Sequence, residues 1–220
     1  MAERKMTLTA DEFRKGLQVL DDEMGEDPFI TAFAPIKVIA AGGYIAVAHL
    51  QCRDSTDDID YLLEPQWVGD PDIQPPFRNA VLHVAEKLRF NDRWMNEDMA
   101  HYVAKGARRY LFRSAEQQNI VLFQGTNLIM LAAPMEWVLE RKLRRIYSGA
   151  RGKRRDEDVV DAVALLKHLR DQAGQPLDRV RVSQLTIVNA WDVMPDMSTM
   201  NLVEDRYRRT YNEDIFINPR

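Results

Sequence analysis

Cysteine is almost absent from this chain: among 220 residues, only Cys52 carries a thiol. A lone cysteine excludes an internal disulfide framework and suits a reducing compartment, cytoplasmic or nuclear. Four histidines (His49, His83, His101 and His168) fall at no ligand spacing, so a structural zinc site finds no support. No apolar run approaches the roughly 20 residues of a membrane-spanning helix. The opening Met1-Ala2-Glu3-Arg4-Lys5 leads into an acid-rich amphipathic stretch, where a secretory signal would carry an apolar core. The net charge is only −4, so no global field draws the chain to nucleic acid. The phosphate-binding Gly-x-x-x-x-Gly-Lys-Ser/Thr loop, the dinucleotide Gly-x-Gly-x-x-Gly turn and the Gly-x-Ser-x-Gly elbow are all missing. There are no internal repeats and no low-complexity tract.

What is present reads as an ordinary globular protein, 45% apolar and 29% charged. This length suits one well-buried core, or one domain with an appended subdomain. Phe13, Leu17, Leu20 and Met24 recur at helical spacing behind a Thr9/Glu12 capping box. Ile36–Ala41 reads as a buried strand, Tyr44–Leu50 as a short helix and Asp58–Leu63 as an acidic strand. Pro65, Gly69, Pro71, Pro75 and Pro76 make 64–76 a loop beside the acids, placed to line a pocket. Arg78–Phe90 reads as a helix, and Asn96–Lys105 as helical up to a break at Gly106. Asn119–Gln124 and Leu128–Ala132 read as a hairpin around Gly125-Thr126-Asn127. Helices follow from Pro134 to about Ile146 and from about Asp156 to Arg170. Strand–helix alternation followed by helices predicts an α/β (α+β) fold. The expected division is a domain over 1–175 and a helical extension over 176–220, with one or two helices and a poorly ordered tail.

The chemistry concentrates at two places close together in the chain. Gly42-Gly43 closes the apolar strand, and Asp58 and Asp60 follow in alternation around Ile59. Side chains two apart on a strand share a face, so both carboxylates project together while Ile59 enters the core. Two carboxylates on one face suit a magnesium ion that also holds a nucleotide's phosphates. Glycines let backbone N–H groups approach such phosphates closely.

These residues resemble the signature of the nucleotidyltransferase superfamily: Gly-Gly after an apolar residue, a spacer, then acid-hydrophobic-acid-hydrophobic. Ala41-Gly42-Gly43 and Asp58-Ile59-Asp60-Tyr61 fill those places. The pattern is most similar to uncharacterised nucleotidyltransferase-like proteins and to bacterial abortive-infection toxin nucleotidyltransferases, which show Arg-x-Thr-x-Asp-Ile-Asp. Thr56, Asp58, Ile59 and Asp60 are in register with it. Asp54 stands where the arginine is expected, and Arg53 lies one place early. Trp94-Met95-Asn96 resembles a Trp-Leu-Asn element of the group. Ala133-Pro134-Met135-Glu136 leading to Lys142-Leu143 is similar to its Pro-x-Glu helix, and Arg155-Asp156-x-Asp158-x-x-Asp161 to its close. The resemblance runs over residues 35 to 170.

The resemblance implies magnesium-dependent transfer of a nucleotide from a nucleoside triphosphate (NTP) to an acceptor hydroxyl on RNA, protein or a small molecule. Asp58 and Asp60 would hold the metal. Gly42, Gly43 and Thr56 would cradle phosphate, and Lys142, Arg151 and Arg155 would neutralise the triphosphate. A third carboxylate normally comes from a neighbouring strand, yet neither hairpin strand holds an acid, and Glu116 and Glu136 merely flank them. Asp161 or Asp158 from the later helix would then complete the site, the alternative being that they cap and complement that helix's N-terminus. Lys142, at the edge of its helix's apolar stripe, either snorkels to water or faces a phosphate. The cations from Arg141 to Arg155 either grip phosphates or form a solvated face balanced by Asp156, Glu157 and Asp158. Trp94 reads as packing and Asn96 as a cap. The second functional reading is a catalytically degenerate relative that binds a nucleotide or a protein partner.

Overall fold

The computed structural model describes residues 3–149, 152–188 and 194–217. The chain is mixed α/β, as expected, and divides into two compact units, Met1–Ala133 and Pro134–Arg220. The division expected from sequence falls later, after residue 175, than the one after Ala133. No described helix is long and apolar enough to cross a membrane.

The first unit begins with β1 (Leu8–Thr9) and α1 (Ala10–Met24). Thr9 caps α1 through the predicted box: its hydroxyl accepts from the Glu12 N–H, and Glu12 accepts the Thr9 N–H at 2.9 Å. Then come α2 (Pro28–Phe33), β2 (Ile36–Ala41), α3 (Gly43–Ala48), β3 (Ser55–Thr56) and β4 (Ile59–Leu63). They are followed by α4 (Gln74–Leu88), β5 (Met95–Asn96), α5 (Lys105–Gln118), β6 (Val121–Gln124) and β7 (Leu128–Ala132). The main sheet has the order β5-β4-β2-β7-β6, with β4 antiparallel and β7 parallel to β2. The β6–β7 hairpin forms as expected.

Alternation along the strands sorts the two sheet faces. Val38, Ala40, Tyr61 and Leu63 join Phe13, Leu17, Leu20, Phe77 and Val84 in one core, which α1 and α4 cover. Lys37, Ile39 and Ala41 point to the other face, where α5 lies: Glu116 pairs with Lys37 at 2.7 Å.

Three predicted elements differ. The helix expected over 96–105 is instead β5 and a short 3-10 turn, Asp98–Tyr102. Pairing with β4 (Ile59 opposite Met95, Asp60 opposite Asn96) overrides local helix propensity there. Gly106 does not break a helix but lies in the first turn of α5, an element the sequence reading did not contain. Pro75 and Pro76, read as loop, open α4, where the missing proline N–H has no helical partner to lose.

The second unit is helical: α6 (Met135–Tyr147), α7 (Lys153–Ala173), α8 (Arg179–Ser183) and α9 (Met197–Tyr211). α6 packs along α7, and α9 contacts both. Leu139, Leu165, Leu166, Val203 and Tyr207 are fully buried. Buried Glu140 and Arg144 hold the segment after α8: Glu140 accepts from the Ile187 N–H at 2.7 Å, and Arg144 donates to the Leu185 carbonyl at 2.9 Å.

Candidate functional site

Antiparallel pairing of β2 and β4 brings the glycine corner and the acids to one end of these two interior strands. Ala41, the last residue of β2, lies opposite Asp60, and Gly42 and Gly43 follow directly. Asp60 shares the face of Ala41 because directly paired residues point the same way. Asp58 precedes β4 by one residue and two positions before Asp60, while Ile59 between them is fully buried. The expected alternation is therefore met.

The corner is tightly filled. Gly42 sits at φ 72°, ψ −149°, a conformation open essentially to glycine alone. A Cβ there would overlap Asp60 Oδ2 and approach its Cγ to 3.3 Å. At Gly43 a Cβ would overlap the Thr56 hydroxyl, with Thr56 Cβ at 3.0 Å and Arg53 Nη1 at 3.3 Å. Each glycine thus makes room for one of the residues assigned to the site. Thr56 is buried and held by β3, which pairs with β1 through Leu8. Arg53 reaches the corner although its sequence position is one place early. The chain turns through Gln51 in the left-handed region at φ 52°, and the guanidinium donates to the Ser55 carbonyl at 3.3 Å.

Asn96 does more than the capping expected from sequence. It does accept the Asp98 N–H at 3.0 Å, but its amide also donates to Asp58 Oδ2 at 2.9 Å. The signal was in the Trp94-Met95-Asn96 element, once that segment is seen as a strand beside β4. Trp94 packs as expected, fully buried and donating to the Val81 carbonyl at 3.0 Å. Burial pushes the Asp58 carboxyl above its ordinary value; the Asn96 amide opposes that shift and the Asp57 charge reinforces it.

Magnesium commonly takes one or two carboxylates from a protein and leaves its other positions to water and phosphate oxygens. Asp58 and Asp60 on one face, beside a corner without Cβ atoms, fit that donor set. Among the described residues no group of three or more His, Cys, Asp or Glu gathers as a metal site. On β7 the residue beside Ala40 is Ala132, so no third acid comes from that strand.

In the second unit, Lys142 neither snorkels nor lies at the surface. It is 3% exposed and pairs with Asp158 at 3.2 Å and with Asp161. Asp158 also binds Arg145. Both aspartates are 1% exposed, which corrects the view of them as capping acids at a helix end. α7 begins at Lys153, so these acids lie in its second and third turns, turned toward α6. Lys142, Arg144 and Arg145 are thus used in ion pairs rather than forming an open phosphate-binding face. Arg155 is exposed on the first turn of α7, and Arg151 lies outside the described residues. The loop after β4 starts at the end of the strand away from Asp58 and Asp60. Glu64 leaves the opposite end of the strand, its N–H bonded to the Lys37 carbonyl.

Comparison with protein-family models, with curated proteins and with solved structures returns no match to this chain.

Proposed function

We propose that the chain is a nucleotidyltransferase-fold protein whose N-terminal unit binds a nucleoside triphosphate with magnesium and transfers the nucleotide to an acceptor hydroxyl. The observation that carries this reading is the register of Ala41 with Asp60, which gathers Gly42, Gly43, Thr56, Asp58 and Asp60 at one end of β2 and β4. Asp58 and Asp60 would hold the ion, oriented by Asn96 on Asp58 and by Gly42 against Asp60. A bound magnesium would neutralise phosphate charge and polarise the reacting phosphoryl group. Thr56 would offer its hydroxyl, and Gly42 and Gly43 their backbone, to phosphate oxygens. Lys142, Arg155 and Asp161 enter from the family pattern as secondary members; Lys142 and Asp161 already neutralise each other. RNA, a protein side chain or a small molecule are the proposed acceptors.

A second reading, nucleotide or partner binding without transfer, draws on Ala132 occupying the strand position from which a third acid would come. Thermal melts with each NTP, with and without magnesium, test the common part. A ligand at ~100 times its Kd adds about 2.7 kcal/mol, or roughly 5–10 °C for a chain of this size. A magnesium-dependent rise abolished by Asp58→Asn is the expected result. No rise with any nucleotide would remove both nucleotide readings. Transfer of label from an α-labelled NTP then separates enzyme from binder.

A further inference from the structure

At the far end of β4 lies a cleft of about 370 Å³ between the loop that starts at Glu64 and the exposed side of α5. Glu64 is four residues along the strand from Asp60, about 13 Å at 3.3 Å per residue, so the cleft is separate from the acid corner. We propose that it binds a small zwitterion, an amino acid or dipeptide with a free ammonium, a free carboxylate and an apolar side chain.

The cleft is lined by charges of both signs, Arg109, Arg113 and Glu116 from α5 and Glu64 from the loop. Arg109 and Arg113, one helical turn apart on α5, line one side. Both are exposed and, among the described residues, enter no hydrogen bond or ion pair through their side chains. Two guanidinium groups at this spacing repel. A carboxylate between them would relieve the repulsion and accept their paired N–H groups. Glu64 and Glu116 line the cleft as well. Glu116 is neutralised by Lys37 at 2.7 Å, and Lys37 also feels the field of Glu64. With Glu116 matched by Lys37, Glu64 is the lining carboxylate that enters no ion pair among the described residues. Glu64 makes no ion pair with either arginine. A simple anion would meet Glu64 and a simple amine would meet two arginines, whereas a ligand bearing both signs satisfies each. Phe112, 4% exposed, and Pro65 supply apolar surface for the ligand's side chain. The volume falls at the lower end of the range for small-molecule sites, roughly 300–1,000 Å³.

Calorimetric titration of the full chain with L-phenylalanine and glycyl-L-phenylalanine tests this, with N-acetyl-L-phenylalanine and L-phenylalaninamide as single-charge controls at constant ionic strength. One zwitterion should bind at a single site, with each control at least about tenfold weaker. Glu64→Gln, and Arg109→Gln with Arg113→Gln, should each weaken the zwitterion about tenfold while circular dichroism and melting stay unchanged. Failure of both zwitterions to bind at millimolar concentration overturns the proposal. Equal affinity for the N-acetyl compound, or insensitivity to Glu64→Gln, overturns it too, because the site would then recognise an anion alone.

Discussion

Gly42 and Asp60 share a space that only a residue without a Cβ leaves open. The Asp60 carboxylate rests on the Gly42 Cα, and the backbone there adopts φ 72°, ψ −149°. Gly42→Ala therefore adds both backbone strain and an overlap with Asp60 Oδ2. The expected loss is roughly 2–5 kcal/mol of stability, together with any magnesium-dependent response to nucleotides. Urea unfolding measures the first and the thermal melts the second. An alanine variant of native stability would show that the corner is looser than its geometry states.

Gly43 and Thr56 make a gentler pair, because Gly43 has an ordinary helical backbone and side chains alone stand in the way, chiefly Thr56, with Arg53 Nη1 at 3.3 Å. Gly43→Ala alone should cost about 1–3 kcal/mol through overpacking. Thr56→Ala removes the overlapping hydroxyl, so the double variant should be less destabilised than the two single losses added together, by about 1 kcal/mol. Strict additivity in a double-mutant cycle would mean that the two residues do not compete for this space.

The parts of this arrangement that follow local rules were legible in the residues themselves. The Ile36–Ala41 run, the acids around Ile59 and the Thr9/Glu12 box each carry their own period or cap. What escaped depends on partners distant in the chain. Met95–Asn96 is a strand only because β4 lies beside it, so Asn96 could not be read as the donor to Asp58. α5 was hidden by Gly106 and by its arginines; its buried stripe is narrow, made by Leu111, Phe112 and Ala115. Lys142 looked like a stripe-edge lysine because its carboxylates stand 16 and 19 residues away on another helix.

Asp58 should reveal its burial through pH. Its pKa is raised in the fold, so the folded chain holds the proton more tightly than the unfolded one. Stability then falls as pH climbs from the ordinary carboxylate value through the raised one, and levels off above it. Asp58→Asn removes the ionisation and with it this fall. At neutral pH the variant should be at least as stable as the parent, with the difference vanishing below about pH 4. Asn96→Ala, which deletes the opposing hydrogen bond, should deepen the fall. Urea midpoints from pH 3 to 8 decide it; an Asp58→Asn variant that is less stable at pH 7 but not at pH 4 would contradict the sign.

Asp21 is a structural acid and serves as a contrast. It is 4% exposed and accepts the N–H groups of Thr126 (2.9 Å), Asn127 (2.7 Å) and Leu128 (2.8 Å), tying α1 to the β6–β7 turn. Asp21→Ala leaves those three donors without their acceptor and should cost about 3–5 kcal/mol. Hydrogen exchange at these amides should rise in step, and a near-neutral variant would imply that the turn finds other acceptors.

Lys142 requires the most care, because losing it confuses folding with function. Its ammonium is enclosed with Asp158 and Asp161, so Lys142→Met takes the shared positive charge away from two buried carboxylates, of which Asp158 keeps Arg145. The expected cost is about 3–5 kcal/mol. Adding Asp161→Asn removes one of those two carboxylate charges, and the double variant should recover part of that loss when urea unfolding is compared across the set. A double variant as unstable as the single would show that Asp161 is not the group that Lys142 compensates. Because this recovery tracks charge balance alone, inactivity of Lys142→Met by itself is no evidence for a role at phosphate. Only inactivity that persists in the restabilised double variant, with Asp161→Asn alone still active, would place the Lys142 ammonium in the reaction.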